Sequence, residues 1–356
     1  MVPFLVVVFL MNFLSAATFS MNFAFPSTAL TWCRHLVVPP TSRAHTHTLS
    51  AGSPLLSSSS QLGPRVAVIG SGASGVFTAL VAAESSPNNP NFSITVYEKT
   101  RFQLSKVKIS GGGRCNVLHD PDDFDIKASY PRGSKELVSP LSGKKFSPEK
   151  QKKWWEDHGL SMHVEEDGRM FPVSNKSSSV IDVLLENSRR QGVKFELKKS
   201  VETISFEKEN EEDGNFKLNF SDGTFQLADK VVLATGSSDS GYRIAKDFNH
   251  TIVKPVPSLF TFTLGREVEE GGVFADLAGI SVEDAAIKVS IENPDGGKKK
   301  KWLEERGPLL ITHKGLSGPG VLRLSAFGEL RRGIGIQQKV NCGDHSSLTA
   351  VLHRTN

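Results

Sequence analysis

This chain of 356 residues has few cysteines, and none of them lies near another. Cys33, Cys115 and Cys342 form no C-x-x-C and no metal-ligand spacing. That excludes a disulfide framework, a structural zinc knuckle and a dithiol relay, and no metal is expected. A reducing compartment fits this usage without being required by it. Acidic residues are missing from the front of the chain, where the first is Glu84. No apolar run reaches the roughly 20 residues that a membrane-spanning helix needs, so stable membrane insertion is not expected. Strong net charge is missing as well. The formal value is +4, and Arg34 and Arg43 of the front segment supply two of those charges. So small an excess predicts no nucleic-acid partner. The one dense basic run, Lys298-Lys299-Lys300-Lys301, follows the turn signal Asn293-Pro294-Asp295-Gly296-Gly297. It reads as a solvated hairpin tip.

Residues 1–64 lack acids, are rich in Ser and Thr, and end near Ser57-Ser58-Ser59-Ser60. This composition predicts a targeting or disordered leader of the organellar transit type, for a chloroplast before a mitochondrion. The apolar stretch 2–14 keeps the secretory pathway as an alternative, and Met21 offers a second start.

Glycine, by contrast, is plentiful, and two clusters of it carry the chemistry. The first, Gly70-Ser71-Gly72-Ala73-Ser74-Gly75, follows the β-branched run 66–69. Gly70 permits a tight turn, Gly72 lets a diphosphate approach the backbone, and Gly75 lets the next helix pack against the strand. That helix is expected over 73–83, with its N-terminal N–H groups toward the phosphates. A second strand, 93–98, ends in Glu98, roughly 23 residues after Gly75, where an acid accepts from ribose hydroxyls. A carboxylate there repels a 2′-phosphate, so the adenosine of FAD or NAD is expected rather than that of NADP. The second cluster is Ser110-Gly111-Gly112-Gly113-Arg114-Cys115-Asn116. Successive glycines allow a main-chain nest for phosphate or for an electron-rich ring edge.

The rest of the chain reads as alternating elements. Residues 121–140 are polar and irregular. A helix is expected over 147–159, with Ser147 as cap and Pro148 in its first turn. A hairpin surrounds Asp167-Gly168, and an amphipathic helix covers 177–191. Strands follow at 193–197 and 201–206, and a hairpin turns at Ser221-Asp222-Gly223. The buried strand Lys230-Val231-Val232-Leu233 runs into Ala234-Thr235-Gly236, a turn expected near the cofactor. Residues 255–316 are β-rich, and the end of the chain is polar and aperiodic.

Several of these segments together resemble one family, the BaiN/YhiN-like NAD(P)/FAD-dependent oxidoreductases of aminoacetone-oxidase type. The likeness lies in Val107-Lys108-Ile109 with the second glycine cluster and in Gly168-Arg169-Met170-Phe171-Pro172-Val173-Ser174. It continues in Leu233-Ala234-Thr235-Gly236 with Gly241-Tyr242-Arg243-Ile244-Ala245, and in Thr312-His313-Lys314-Gly315-Leu316-Ser317-Gly318-Pro319. It spans about 65–325. It implies an α/β fold: a FAD/NAD(P)-binding Rossmann-like domain of two-dinucleotide type with an inserted β-rich domain. The expected division is 65–250 for the FAD-binding domain, 251–325 for the β-rich domain and 326–356 for a divergent tail. Three departures stand out. Val117-Leu118-His119 follows the second cluster, only Ser237-Ser238-Asp239-Ser240 separates Gly236 from Gly241, and the C-terminal part of the family fold is missing.

The resemblance implies a FAD-dependent oxidoreductase that passes hydride between bound flavin and a small substrate, or NAD(P)H as donor. The alternative is a truncated, inactive nucleotide-binding or interaction form. Expected cofactor contacts are Gly70, Ser71, Gly72, Ala73, Ser74, Gly75, Glu98, Lys99, Lys108, Ser110, Gly111, Gly112, Gly113, Arg114, Cys115, Asn116, Ala234, Thr235 and Gly236. Arg114 would add a positive charge favouring reduced flavin. Cys115 reads first as a small buried residue. His313 is the candidate proton-handling group, with turn stabilisation as its competing reading.

Overall fold

The structure is a computed structural model. It describes residues 5–7, 63–86, 92–130, 134–142, 147–208, 214–253, 255, 259–264, 272, 274–291, 301–328, 336–342 and 346–352. Most of the leader, the Lys298 to Lys300 tip and the far end of the tail therefore lie outside the described residues.

A parallel sheet organises the first domain. Its strands are β1 (Leu5–Val7), β2 (Arg65–Ile69), β3 (Ser93–Glu98), β7 (Lys194–Leu197) and β11 (Lys230–Leu233), in the order β1-β11-β2-β3-β7. Every pairing is parallel. The short apolar runs read from the sequence thus become strands covered on both faces, as parallel strands require. Alternation decides which face each residue serves. Val68, Val96, Val232 and Ala234 pack toward Ala79 and Ala83 of helix α1 (Ala73–Glu84). Ala67, Ile69, Val231 and Leu233 face the opposite way, onto Ile204, Phe216, Leu218 and Phe220.

Those last residues belong to an antiparallel meander of β8 (Val201–Lys208), β9 (Gly214–Phe220) and β10 (Phe225–Ala228). Tyr97 meets Phe220 across the interface with ring centroids 5.0 Å apart. Three residues of the front segment, β1, lie along β11. An edge strand offers unpaired main-chain groups, and an apolar β-branched stretch is suited to cover them.

Beside the sheet, α1 meets α2 (Ser105–Ile109), α5 (Pro148–Asp157) and α6 (Ser177–Arg190). Their shared core holds Val76, Leu80, Leu104, Val107, Cys115, Trp155, Met170, Val180 and Leu184. Trp154 and Trp155 are packing residues here, and Phe77 sits 4.7 Å from Trp154. A small sheet of β4 (Leu118–His119), β5 (Met162–Val164) and β6 (Arg169–Pro172) carries the hairpin expected around Asp167-Gly168.

Two local expectations differ from the structure. The 121–140 region is not irregular throughout: α3 (Ile126–Ser129) and α4 (Ser134–Ser142) form there. Leu141 is buried, so burial of one apolar side chain outweighs poor local propensity. Ser147 stands at the N-cap of α5 without a side-chain capping bond. Its carbonyl instead accepts from the Gln151 N–H at 3.0 Å.

The chain passes through α7 (Asp239–Asp247) into a second sheet. Its order is β12-β15-β14-β13-β16-β17, built from β12 (Phe262–Thr263), β13 (Ser281–Ile291), β14 (Lys301–Thr312), β15 (Gly315–Ser317), β16 (Ile336–Cys342) and β17 (Ser346–Leu352). Helix α8 (Pro319–Gly328) covers it through Val321 and Leu324. The tail, polar and aperiodic in sequence, contributes β16 and β17 as a hairpin against the open edge of β13. Among the described residues no helix is long and apolar enough to cross a membrane.

Candidate functional site

The first glycine cluster is the turn from β2 into α1. Gly70 has φ +103°, and its N–H donates to the Tyr97 carbonyl at 2.8 Å. A Cβ there would stand 2.5 Å from the Ala234 carbonyl oxygen. At Gly75 a Cβ would stand 1.9 Å from the Gly70 oxygen and 3.3 Å from Ala234 Cβ. This turn and the Ala234-Thr235-Gly236 turn after β11 are therefore in contact at the same end of the sheet. Gly241 closes on the same turn, since a Cβ would lie 1.8 Å from Thr235 Oγ1.

Gly72 is different. It caps α1 in extended conformation, and a Cβ would meet nothing within 4 Å. The helix start has no side-chain cap and no acid in its first turn. Ser74 Oγ and Thr78 Oγ1 are buried without a partner. Unsatisfied helix N–H groups, a partial positive charge and an open approach over Gly72 suit an anionic diphosphate. The residues present therefore fit the dinucleotide that the fold implies.

Glu98 ends β3 beside this turn. Its Oε2 accepts from the Ser71 N–H at 3.0 Å and the Ser71 hydroxyl at 2.9 Å, and its Oε1 accepts from the Thr100 N–H at 2.9 Å. Partial burial alone would raise its pKa. The donors of Ser71 and Thr100 outweigh that and hold the carboxyl below its ordinary range. The carboxylate thus stays ionised and keeps lone pairs for further donors.

The second cluster is tied to the first. The Leu104 N–H donates to the Ser71 carbonyl at 2.9 Å, and α2 starts directly afterwards. Gly111, Gly112 and Gly113 then follow at φ +54°, +67° and +84°. Gly111 and Gly112 are exposed, and a Cβ on Gly112 would meet nothing within 4 Å.

Asn116 beneath them is 6% exposed, and its Oδ1 has no partner. Buried polar atoms rarely stay unpaired, so this oxygen marks a place for a ligand donor. Cys115 is fully buried at φ +61°, and burial pushes its thiol up to about 11. It is a packing residue in this structure, not an exposed thiolate.

Arg114 is committed within the protein. Its guanidinium pairs with Glu165, donates to Asn175 Oδ1 at 2.9 Å and lies 4.0 Å from the centroid of the Phe171 ring. Arg169 shares Glu165 at 3.0 Å and bonds Asp167 at 2.6 Å. Sequence reasoning missed Glu165, Asn175 and Phe171 as supports of the loop. Phe171 and Asn175 lie in or beside a motif that the sequence did single out. Lys106, also missed, places Nζ 3.4 Å from Ser237 Oγ, next to the Ala234 turn. Lys108 is exposed, and its main-chain carbonyl accepts from the Ser177 hydroxyl at 2.7 Å. Lys99 is exposed one residue past Glu98.

His313 stands exposed in the turn between β14 and β15. The turn is held by the Thr312 hydroxyl donating to the Gly315 carbonyl at 2.8 Å. Gly315 and Gly318 there serve packing: a Cβ would lie 1.9 Å from the Phe262 carbonyl oxygen or 2.7 Å from that of Pro308. No cluster that could hold a metal occurs among the described residues.

A family model for the HI0933-like protein Rossmann domain matches residues 64–324. The chain belongs to this HI0933-like family. Among similar proteins, the ribosomal RNA dihydrouridine synthase of Escherichia coli is 26% identical over 271 residues, covering 73% of this chain and 60% of the relative. The 3-dehydro-bile acid delta(4,6)-reductase of Clostridium scindens is 28% identical over 269 residues, covering 73% and 59%. The chain thus spans about three fifths of the length of these two relatives. Among solved structures, the THI4 protein of Thermovibrio ammonificans is similar at 12% identity and TM-score 0.36, covering 54% of this chain and 64% of that one.

Proposed function

We propose that this chain binds FAD and is a flavin-dependent oxidoreductase, with hydride passing between NAD(P)H or a small substrate and the flavin. The observation that carries this reading is the contact of two turns and the hydrogen bond that ties the first to the segment leading into a third. The Gly70 turn touches the Ala234 turn and is hydrogen-bonded, through Ser71 and Leu104, to the segment bearing the second glycine cluster. The relatives are named for making dihydrouridine in ribosomal RNA and for delta(4,6) reduction of a 3-dehydro bile acid. Both names describe hydrogen added across a carbon–carbon double bond. We extend that class of reaction, reduction of a double bond conjugated to a carbonyl, to this chain.

When bound, flavin supplies reversible acceptance and donation of a hydride. The chain's own residues bind and orient. The N–H groups at the start of α1 take the diphosphate across Gly72. Glu98 accepts from ribose hydroxyls with the lone pairs that Ser71 and Thr100 leave free. Asn116 Oδ1 accepts one N–H donor at the second loop. The Glu165 and Asn175 contacts hold Arg114, and with it the shape of that loop. A buried thiol with a pKa near 11 takes no part in proton transfer at neutral pH.

The test is direct. Full-length protein incubated with FAD and desalted should retain flavin absorbance, and Gly72→Val should abolish retention without unfolding. A colourless wild-type protein, or a Gly72→Val protein that keeps its flavin, overturns the reading.

A further inference from the structure

The two turns at Gly70 and Ala234 build a site that is short of positive charge. Glu98 is held ionised beside the first turn by the donors of Ser71 and Thr100, which puts a full negative charge there. The start of α1 returns only about half a positive charge. A diphosphate brings further negative charge of its own. Arg114 does not make up the difference. Arg114 and Arg169 are matched by Glu165 and Asp167, so the charges of that cluster cancel.

Lys106 can make it up. Its Nζ stands 3.4 Å from Ser237 Oγ and 4.0 Å from the place that a Cβ on Gly236 would take. It forms no ion pair among the described residues, and Asp239 in the first turn of α7 does not pair with it. The segment that carries it is fixed. Leu104 and Val107 are 1% and 3% exposed, and the Leu104 N–H donates to the Ser71 carbonyl at 2.9 Å. Lys108 stands two residues on, roughly 200° around the helix, and so faces away.

We propose that Lys106 is the cation that holds the diphosphate of bound FAD. The proposal rests on the functional reading above and adds a cofactor contact to it. The Leu104 bond to Ser71 sets α2 beside the open approach at Gly72, and the Ser237 contact sets the ammonium at the Ala234 turn, which is packed on Gly70. The charge therefore lies between the two turns that flank a diphosphate at the start of α1. An ammonium has three donors, and Ser237 takes one of them, which leaves two for phosphate oxygens. Such charge-assisted bonds are roughly twice as strong as neutral ones. A diphosphate is charged alike whether the flavin is oxidised or reduced. A lysine on the phosphates thus tightens both forms equally and leaves the reduction potential where it was.

The experiment is titration of the full chain with FAD, read by flavin fluorescence across a range of salt, together with the reduction potential of the bound flavin. Lys106→Met should weaken FAD binding roughly tenfold at low salt, the scale of one lost charge-assisted bond. The gap to wild type should narrow as salt rises. Lys106→Arg should restore most of the affinity. Arg101→Met removes a charge from the same segment, where Arg101 lies 4.6 Å from the centroid of the Phe102 ring, and should leave FAD affinity within about twofold. Lys106 is exposed, so thermal midpoints should match wild type. Equal FAD affinity in Lys106→Met and wild type overturns the proposal, as does an equal loss in Arg101→Met. So does a lowered reduction potential at unchanged affinity for oxidised FAD, which would put the charge on the ring. A wild-type chain that takes up no FAD overturns the functional reading and this contact with it, whereas each of the other failures overturns the contact alone.

Discussion

At Gly70 and Gly75 a side chain would strike neighbouring main chain, whereas at Gly112 and Gly113 it would meet almost nothing. In the first loop glycine is required because the protein crowds against itself, and only Gly72 opens outward. In the second loop it is required because the backbone turns left-handed in open space. A glycine therefore marks a ligand approach only where the missing side chain would face solvent. By that criterion Gly72 and Gly112 are the two positions open to an approaching group, while Gly70 and Gly75 are packed against neighbouring main chain.

Substitutions at four positions test this contrast. Gly75→Val should have the largest effect, a loss of more than about 4 kcal/mol or failure to fold, because its contact at 1.9 Å is main chain that cannot swing away. Circular dichroism melts of the purified protein check it, and a soluble variant with native melting breaks the crowding argument. Gly72→Val comes next. Its thermal midpoint should stay within a few degrees of wild type while FAD affinity falls at least a hundredfold, read by flavin fluorescence.

Glu98→Gln sharpens the contrast through pH. The folded carboxyl titrates below its unfolded value, so its contribution is present above the ordinary carboxylate range and is lost as pH falls through the folded pKa. Half exposure and solvent screening limit it to about 1 kcal/mol at neutral pH. Denaturant titrations should show that gap closing as pH falls below the ordinary carboxylate range. A gap constant with pH would mean that Ser71 and Thr100 do not hold an ionised group. The smallest effect belongs to Gly112→Ala, about 1 kcal/mol from φ +67° alone. Gly112→Asn should cost less, because asparagine tolerates that conformation. Equal losses would point to a clash in place of handedness.

Much of the nucleotide-binding half could be read from the chain. The strands at 66–69, 93–98 and 230–233 follow from short β-branched runs, and α1 follows from the glycine turn before it. Glu98 was placed by its interval from Gly75. What spacing could not supply were contacts made by folding. Arg114 and Glu165 are 51 residues apart and meet only once the β5–β6 hairpin has turned. Lys106 and Lys108 are indistinguishable in sequence, yet the single turn of α2 puts only Lys106 beside Ser237. Prolines at 121, 131 and 140 made that region read as irregular, although buried Leu141 anchors a helix there. His313 carries the chemistry of a proton carrier, but a two-residue turn fixes where it stands.

The buckle between β2 and β11 has a consequence for biosynthesis. Arg65 grips Asp229 with its main-chain N–H at 2.6 Å and its guanidinium at 2.8 Å, across 164 positions of chain. A ribosome must release the chain as far as Asp229 before that clasp can fasten. Until then the first glycine turn lacks its neighbouring wall at Ala234. Such distant closure slows folding, and it leaves the wall behind the first glycine turn to form late in the life of each new molecule.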